Sequence, residues 1–81
     1  MMHQPILFVK KGCPYCAAAI DYLDQRKVGY QRLEVRGRAE AMDELQRVSG
    51  QTKTPTLLWD DDVLANFGVD ELEPFLAKHQ K

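Results

Sequence analysis

Pro5-Ile6-Leu7-Phe8-Val9 is a continuous apolar run. After Lys10-Lys11-Gly12 it leads into Cys13-Pro14-Tyr15-Cys16 and a helix-friendly stretch reaching about Lys27. A short run without alternation predicts a strand buried on both faces. The junction then sets two thiols one helical turn apart at a helix start. With Cys13 at the N-cap, Pro14 falls at the first helical position, where its missing N–H costs nothing. The N–H groups of Tyr15 and Cys16 point back at the Cys13 sulfur. Those donors and the helix dipole favour a thiolate, and a lowered pKa makes cysteine nucleophilic near neutral pH. A Cys-x-x-Cys beside a βαβ pattern reads as a redox pair. Cys13 is the natural attacker and Cys16 is placed to resolve a mixed disulfide. Lys10 and Lys11 add positive charge that favours the Cys13 thiolate.

Working outward, the first helix runs from Pro14 to about Lys27. Ala17, Ala19, Ile20 and Leu23 face inward, and Gly29 is its stop. Tyr30 to Val35 reads as a second strand with Leu33 and Val35 on one face. Arg36-Gly37-Arg38 is a turn. Ala39, Met42, Leu45 and Val48 mark an amphipathic helix over 39–49, ended by Ser49-Gly50. Thr56 to Trp59 is a third strand and Val63 to Ala65 a fourth, joined by the tight turn Asp60-Asp61-Asp62. A last helix runs from Val69 to about His79, with Val69, Leu72, Phe75 and Leu76 on one face. The order is β-α-β-α-β-β-α. A right-handed crossover makes the first two strands parallel, and the Asp-rich turn makes an antiparallel pair. These imply an α/β fold with a four-stranded mixed sheet flanked by helices, an arrangement that resembles the thioredoxin-like architecture.

The chain has 81 residues, 44% of them hydrophobic, which is one domain spanning 1–81 with a modest core. Its formal charge of −1 gives no support for a nucleic-acid or membrane partner. No apolar run approaches the roughly 20 residues of a membrane span, and the N-terminus lacks signal-peptide features. A reducing cytoplasm is the expected compartment. The only two cysteines enclose too short a loop to act as a structural staple. His3 and His79 have no metal-ligand spacing to them, so no metal is expected. Covalent haem would need His after Cys16, where Ala17 stands. Trp59 reads as core or a partly exposed strand residue, and Met42 as helix packing.

Two further signals lie downstream. Pro55 reads, from the chain alone, as a proline opening a strand. Gly68 reads as a backbone conformation closed to other residues, with Asp70 in the opening turn of the last helix, whose free N–H groups suit a carboxylate.

From about Ile6 to Leu76 the chain resembles a dithiol glutaredoxin. Cys13-Pro14-Tyr15-Cys16 is that family's active-site tetrapeptide. Lys10 matches a lysine of its glutathione site, and Gly50-Gln51 a Gly-Gln pair. Lys53-Thr54-Pro55 stands at its Thr-Val-Pro, and Gly68-Val69-Asp70 at the end of its Gly-Gly-x-Asp. The resemblance implies a cis bond before Pro55. It also implies a glutathione site: the Thr54 backbone pairs with the cysteinyl unit, and Lys10 and Gln51 meet the glycyl carboxylate. The N–H groups of Val69 and Asp70, with the Asp70 side chain, hold the γ-glutamyl end after Gly68, and Tyr15 flanks the sulfur. Glutathione is then a reducing co-substrate, with no tightly bound cofactor. The partners implied are disulfide-bonded or glutathionylated proteins, met by a monomer.

Phe67 departs from the family pattern by replacing the first Gly, which predicts a narrowed γ-glutamyl pocket. Phe-x-x-Asp also resembles the redoxins that take electrons from thioredoxin reductase. That is the alternative reading, together with an iron–sulfur cluster module, which Pro14 disfavours. The first domain of a glutathione transferase shares the architecture, but no helical domain is expected to follow Lys81. Arg36 and Arg38 read as a solvated turn, the other reading being that they steer the anionic tripeptide or an acidic partner.

Overall fold

In a computed structural model describing residues 4–79, the chain forms β1 (Ile6–Val9), α1 (Pro14–Gln25), β2 (Gln31–Glu34), α2 (Ala39–Ser49), β3 (Thr56–Trp59), β4 (Asp62–Ala65) and α3 (Val69–His79). The sheet order is β2-β1-β3-β4. β1 runs parallel to β2, from Ile6 opposite Gln31 to Val9 opposite Glu34. It runs antiparallel to β3, which is antiparallel to β4. The β-α-β-α-β-β-α order along the chain and the mixed four-stranded sheet are those the sequence predicts.

β1 is buried on both faces because successive side chains alternate across the sheet. Leu7 and Val9 join Leu57 in one core with Ala19 and Leu23 of α1 and Leu72, Phe75 and Leu76 of α3. Phe8 points the other way, into a smaller core with Val35 and with Ala41 and Leu45 of α2. Leu33, Met42 and Val48 pack against that second core. The strand thus carries both layers, and its C-terminal end delivers the Cys-Pro-Tyr-Cys segment.

Several expected inward positions are corrected. Ala17 is exposed, because the buried stripe of α1 is Cys16, Ala19 and Leu23. Ala17 lies about 100° around the helix from Cys16. In α2, Ala39 is exposed and Ala41 takes its place, since the stripe steps by four and then three through Ala41, Leu45 and Val48. Val69 is 39% exposed, opening α3 one turn before the first buried residue, Leu72.

The stop of α1 is also different. The helix ends at Gln25, and the left-handed residue is Lys27 (φ 56°) rather than Gly29. Lys27 N–H donates to the Asp24 carbonyl and Val28 N–H to the Leu23 carbonyl at 3.0 Å. These are the two bonds of a Schellman cap. Val28 and Leu23 are buried in the same core, so apolar contact across the cap fixes the stop despite a lysine at the left-handed position. Gly50 (φ 74°) ends α2 as expected. β4 begins at Asp62, which pairs with Trp59, so the turn shortens to Asp60-Asp61. The other strand limits move by one residue at an end: β1 starts at Ile6, and β2 spans Gln31–Glu34. No helix among the described residues is long and apolar enough to cross a membrane.

Candidate active site

Gly12 (φ 84°) occupies a tight turn closed by Cys13 N–H donating to the Lys10 carbonyl at 3.2 Å. Positive φ at that place in a turn suits glycine. The turn feeds Cys13 into the N-cap of α1 (φ −89°, ψ 117°), with Pro14 at the start of the helix. Cys16 N–H donates to the Cys13 sulfur at 3.3 Å. Cys13 is half-buried and Cys16 is buried.

The two thiols are driven apart. Partial burial pushes Cys13 up, but hydrogen bonds from the Cys16 side chain and N–H, with weaker ones from the Thr54 side chain and the Tyr15 N–H, outweigh it. The net result is a thiol that ionises below its ordinary value. Burial pushes Cys16 up, its hydrogen bond with Cys13 pushes the same way, and smaller opposing bonds from Thr54 and Lys10 do not offset them. One sulfur is therefore the better thiolate and the other is kept protonated until needed. The lowering of Cys13 is led by hydrogen bonds, among them the expected Cys16 and Tyr15 N–H donors, and the added Lys10 and Lys11 charges are not among its leading causes.

This difference has a measurable consequence. Alkylation by iodoacetamide follows the thiolate fraction. A lowered pKa moves the rise in rate to lower pH. Modification of Cys13 should therefore rise at a lower pH than in the unfolded chain, with Cys16 reacting later and more slowly. Stopped alkylation with peptide mapping reads both sites. Equal profiles for the two cysteines would overturn the asymmetry.

An open groove of about 370 Å³ lies beside Cys13, lined by Lys10, Lys11, Arg36, Lys53, Thr54 and Asn66 among others. The Thr54–Pro55 bond is cis, as the resemblance implies. Asn66 N–H donates to the Pro55 carbonyl at 2.8 Å, which ties this turn to the end of β4. Tyr15 is 67% exposed beside the sulfur.

Gln51 is placed differently from Lys10. It does not line the groove. Its amide nitrogen donates to Ser49 Oγ at 2.8 Å and Thr56 Oγ1 at 3.1 Å, and its oxygen accepts from Lys53 N–H at 2.6 Å. The fully buried Thr56 hydroxyl donates onward to the Lys53 carbonyl at 2.8 Å. Gln51 thus braces the segment that presents Thr54 and Pro55.

At the start of α3, Gly68 N–H donates to Glu71 Oε2 at 3.1 Å, half of a capping box. Gly68 is not in the left-handed region expected of it. A Cβ there would stand 2.9 Å from an Asp70 carboxylate oxygen, a contact that rotation of the Asp70 side chain relieves. Phe67 corrects a second expectation. Its side chain is 2% exposed and belongs to the main core with Leu72 and Phe75, so it does not narrow the pocket from above.

Lys53 and Asn66 line the groove, and the sequence does not mark them as ligand residues. Arg36 reads in the sequence as part of a solvated turn, the other reading being that it steers the anionic tripeptide or an acidic partner. Its guanidinium donates to the Lys11 carbonyl at 3.3 Å, a contact between segments far apart in the chain. His79 is committed elsewhere, bonded to Asp62 at 3.0 Å and stacked on Trp59 at 5.1 Å between ring centres. His3 lies outside the described residues. No group of three or more potential metal ligands occurs among the described residues.

Comparison with known proteins agrees with this fold. The family model described as Glutaredoxin matches residues 6–64. Glutaredoxin 3 of Escherichia coli K12 is 31% identical over 77 residues, covering 86% of this chain and 93% of the relative. Among solved structures, a mutant of a thioredoxin-like protein superposes with a TM-score of 0.83 at 26% identity, covering 90% of this chain and 99% of that one. The buckwheat glutaredoxin–glutathione complex shares the fold, with a TM-score of 0.69 at 20% identity over 94% of this chain and 70% of that one.

Proposed function

This chain belongs to the glutaredoxin family of thiol–disulfide oxidoreductases, and we propose on that premise that its reductant is glutathione and that it acts on protein disulfides and glutathione mixed disulfides. The observation that carries the proposal is the Cys13 sulfur, held by the Cys16 N–H at 3.3 Å, opening onto a groove with four cations and no carboxylate. Glutathione is anionic and carries two carboxylates. Lys10 suits its glycyl carboxylate, the Thr54 backbone its cysteinyl unit, and the first N–H groups of α3 at Val69 and Asp70 its γ-glutamyl carboxylate. The Asp70 side chain suits the γ-glutamyl amine. The relative solved with glutathione bound is in keeping with this partner.

Two routes follow. In the monothiol route, the Cys13 thiolate attacks the glutathionyl sulfur of a protein–glutathione disulfide. A Cys13–glutathione bond forms, the protein–sulfur bond breaks, and its electron pair leaves with the protein thiolate, which takes a proton from water. A glutathione thiolate then attacks the bound glutathione sulfur, giving glutathione disulfide and free Cys13. In the dithiol route, Cys13 attacks a target disulfide and releases one target thiolate. Cys16 then loses its proton, attacks Cys13 and expels the other. Two glutathiones reduce the resulting Cys13–Cys16 disulfide and leave as glutathione disulfide. No resident cofactor is needed, and a cytoplasmic monomer suits the reaction.

The rival electron source, thioredoxin reductase, rests on the Phe-x-x-Asp pattern of Phe67 and Asp70 and on a pocket narrowed by Phe67; the burial of Phe67 removes the second reason and leaves the first. An NADPH-coupled assay on a small glutathione mixed disulfide decides between them. Turnover is expected with glutathione and glutathione reductase, and none with thioredoxin reductase alone. Turnover only in the second cuvette would overturn the glutathione site.

A further inference from the structure

The charge around Cys13 exceeds what glutathione uses. A second groove of about 370 Å³ also borders Cys13, sharing Lys10 and Gly12 with the first, with Val9, Ala17 and Ile20 as its apolar walls and Arg32 and Arg38 as its further cations. The two grooves together hold six of the chain's eleven lysines and arginines, but one of its twelve carboxylates, Glu34. A chain of net charge −1 has therefore gathered its positive charge at one place. Glu34 offsets one of the three cations of the second groove, Lys10, Arg32 and Arg38, and leaves the other two in excess. One carboxylate oxygen accepts Lys11 N–H at 3.1 Å and Arg36 N–H at 3.0 Å. With the Arg36 guanidinium bonded back to the Lys11 carbonyl, these contacts tie the 10–12 turn to the end of β2. Arg32 and Arg38 are exposed and have no part in the proposed glutathione contacts.

We infer that the groove of Arg32 and Arg38 docks an acidic segment beside the target cysteine of a protein substrate. The inference rests on the reading that Cys13 exchanges with protein disulfides. Charge of one sign in a cleft steers an oppositely charged partner and raises its association rate. Target choice is then set by this groove, and glutathione is received in the other.

The test uses pre-reduced protein and three cysteine peptides, acidic, neutral and basic, each activated as a 2-pyridyl disulfide. Cys13 attacks the peptide sulfur, the bond to the pyridyl sulfur breaks, and its electron pair leaves as thiopyridone, read by absorbance. No glutathione or reductase takes part. At low salt the acidic peptide should react about tenfold faster than the basic one, and the ratio should fall as salt screens the charges. In Arg32→Gln/Arg38→Gln the ratio should fall towards one while the neutral peptide keeps its rate. The single variants should each give part of the fall. A wild-type ratio near one, or a ratio that the substitutions or salt leave unchanged, would overturn the docking inference alone. Failure of all three peptides would overturn it together with the proposed exchange chemistry.

Discussion

Cys13→Ser is expected to abolish both glutathione-linked activities, by more than about 10³-fold, the scale of losing a nucleophile. The loss should be chemical and not structural. Serine is a favoured N-cap, and its oxygen can accept the Cys16 N–H that the sulfur accepts at 3.3 Å. Thermal denaturation should therefore be nearly unchanged. Cys16→Ser should divide the two routes. Reduction of a protein disulfide stops because nothing resolves the mixed disulfide, whereas release of glutathione from a glutathionylated protein continues. Cys16→Ala should add a further effect. The Cys16 side chain leads the hydrogen bonds that lower the Cys13 pKa, so alanine should move the Cys13 alkylation profile to higher pH than serine does. Retained turnover in Cys13→Ser, measured in the NADPH-coupled assay, would sink the nucleophile assignment. Loss of both routes in Cys16→Ser would sink the division of labour.

The residues that made this site legible in the chain are those whose role is local. Pro14 after Cys13 fixes a helix start with a sulfur at its cap, and nothing distant is needed to see it. The apolar run Ile6 to Val9 reports its own burial. Gly50 ends α2 where a left-handed residue is required. The less legible residues are those whose role depends on contacts across the fold. Gly29 looks like a helix stop, but Val28 must reach Leu23 in the core, and that contact stops α1 at Gln25 with Lys27 in the left-handed position. Gln51 stands at a ligand position of the family, and its amide here bonds Ser49, Lys53 and Thr56, a bracing role that spacing does not show. Lys53 and Arg36 come from different loops and share a groove only after β1 is paired on one side with β2 and on the other with β3. Spacing along the chain carries no trace of that convergence.

Phe67 is where the two kinds of evidence part most sharply, and it gives the second large expected effect. A phenylalanine in place of a pocket glycine predicts a wall against glutathione. A phenylalanine 2% exposed among Leu72, Phe75 and Leu76 predicts a core residue. Phe67→Ala should accordingly cost about 3–5 kcal/mol, the usual loss for truncating a buried phenylalanine. That is a large share of the roughly 5–15 kcal/mol available to a small domain, so the midpoint of urea unfolding should fall steeply. Phe67→Leu keeps most of the apolar volume and should stay folded at a cost below about 1.5 kcal/mol. In that folded variant the KM for glutathione should stay within about twofold of wild type, because the side chain that shrank was not in the groove. If Phe67 were the pocket wall, the pattern would reverse: both substitutions would leave the urea midpoint nearly unchanged and lower the KM for glutathione. Stability and KM thus move independently, and together they show whether position 67 serves the core or the ligand.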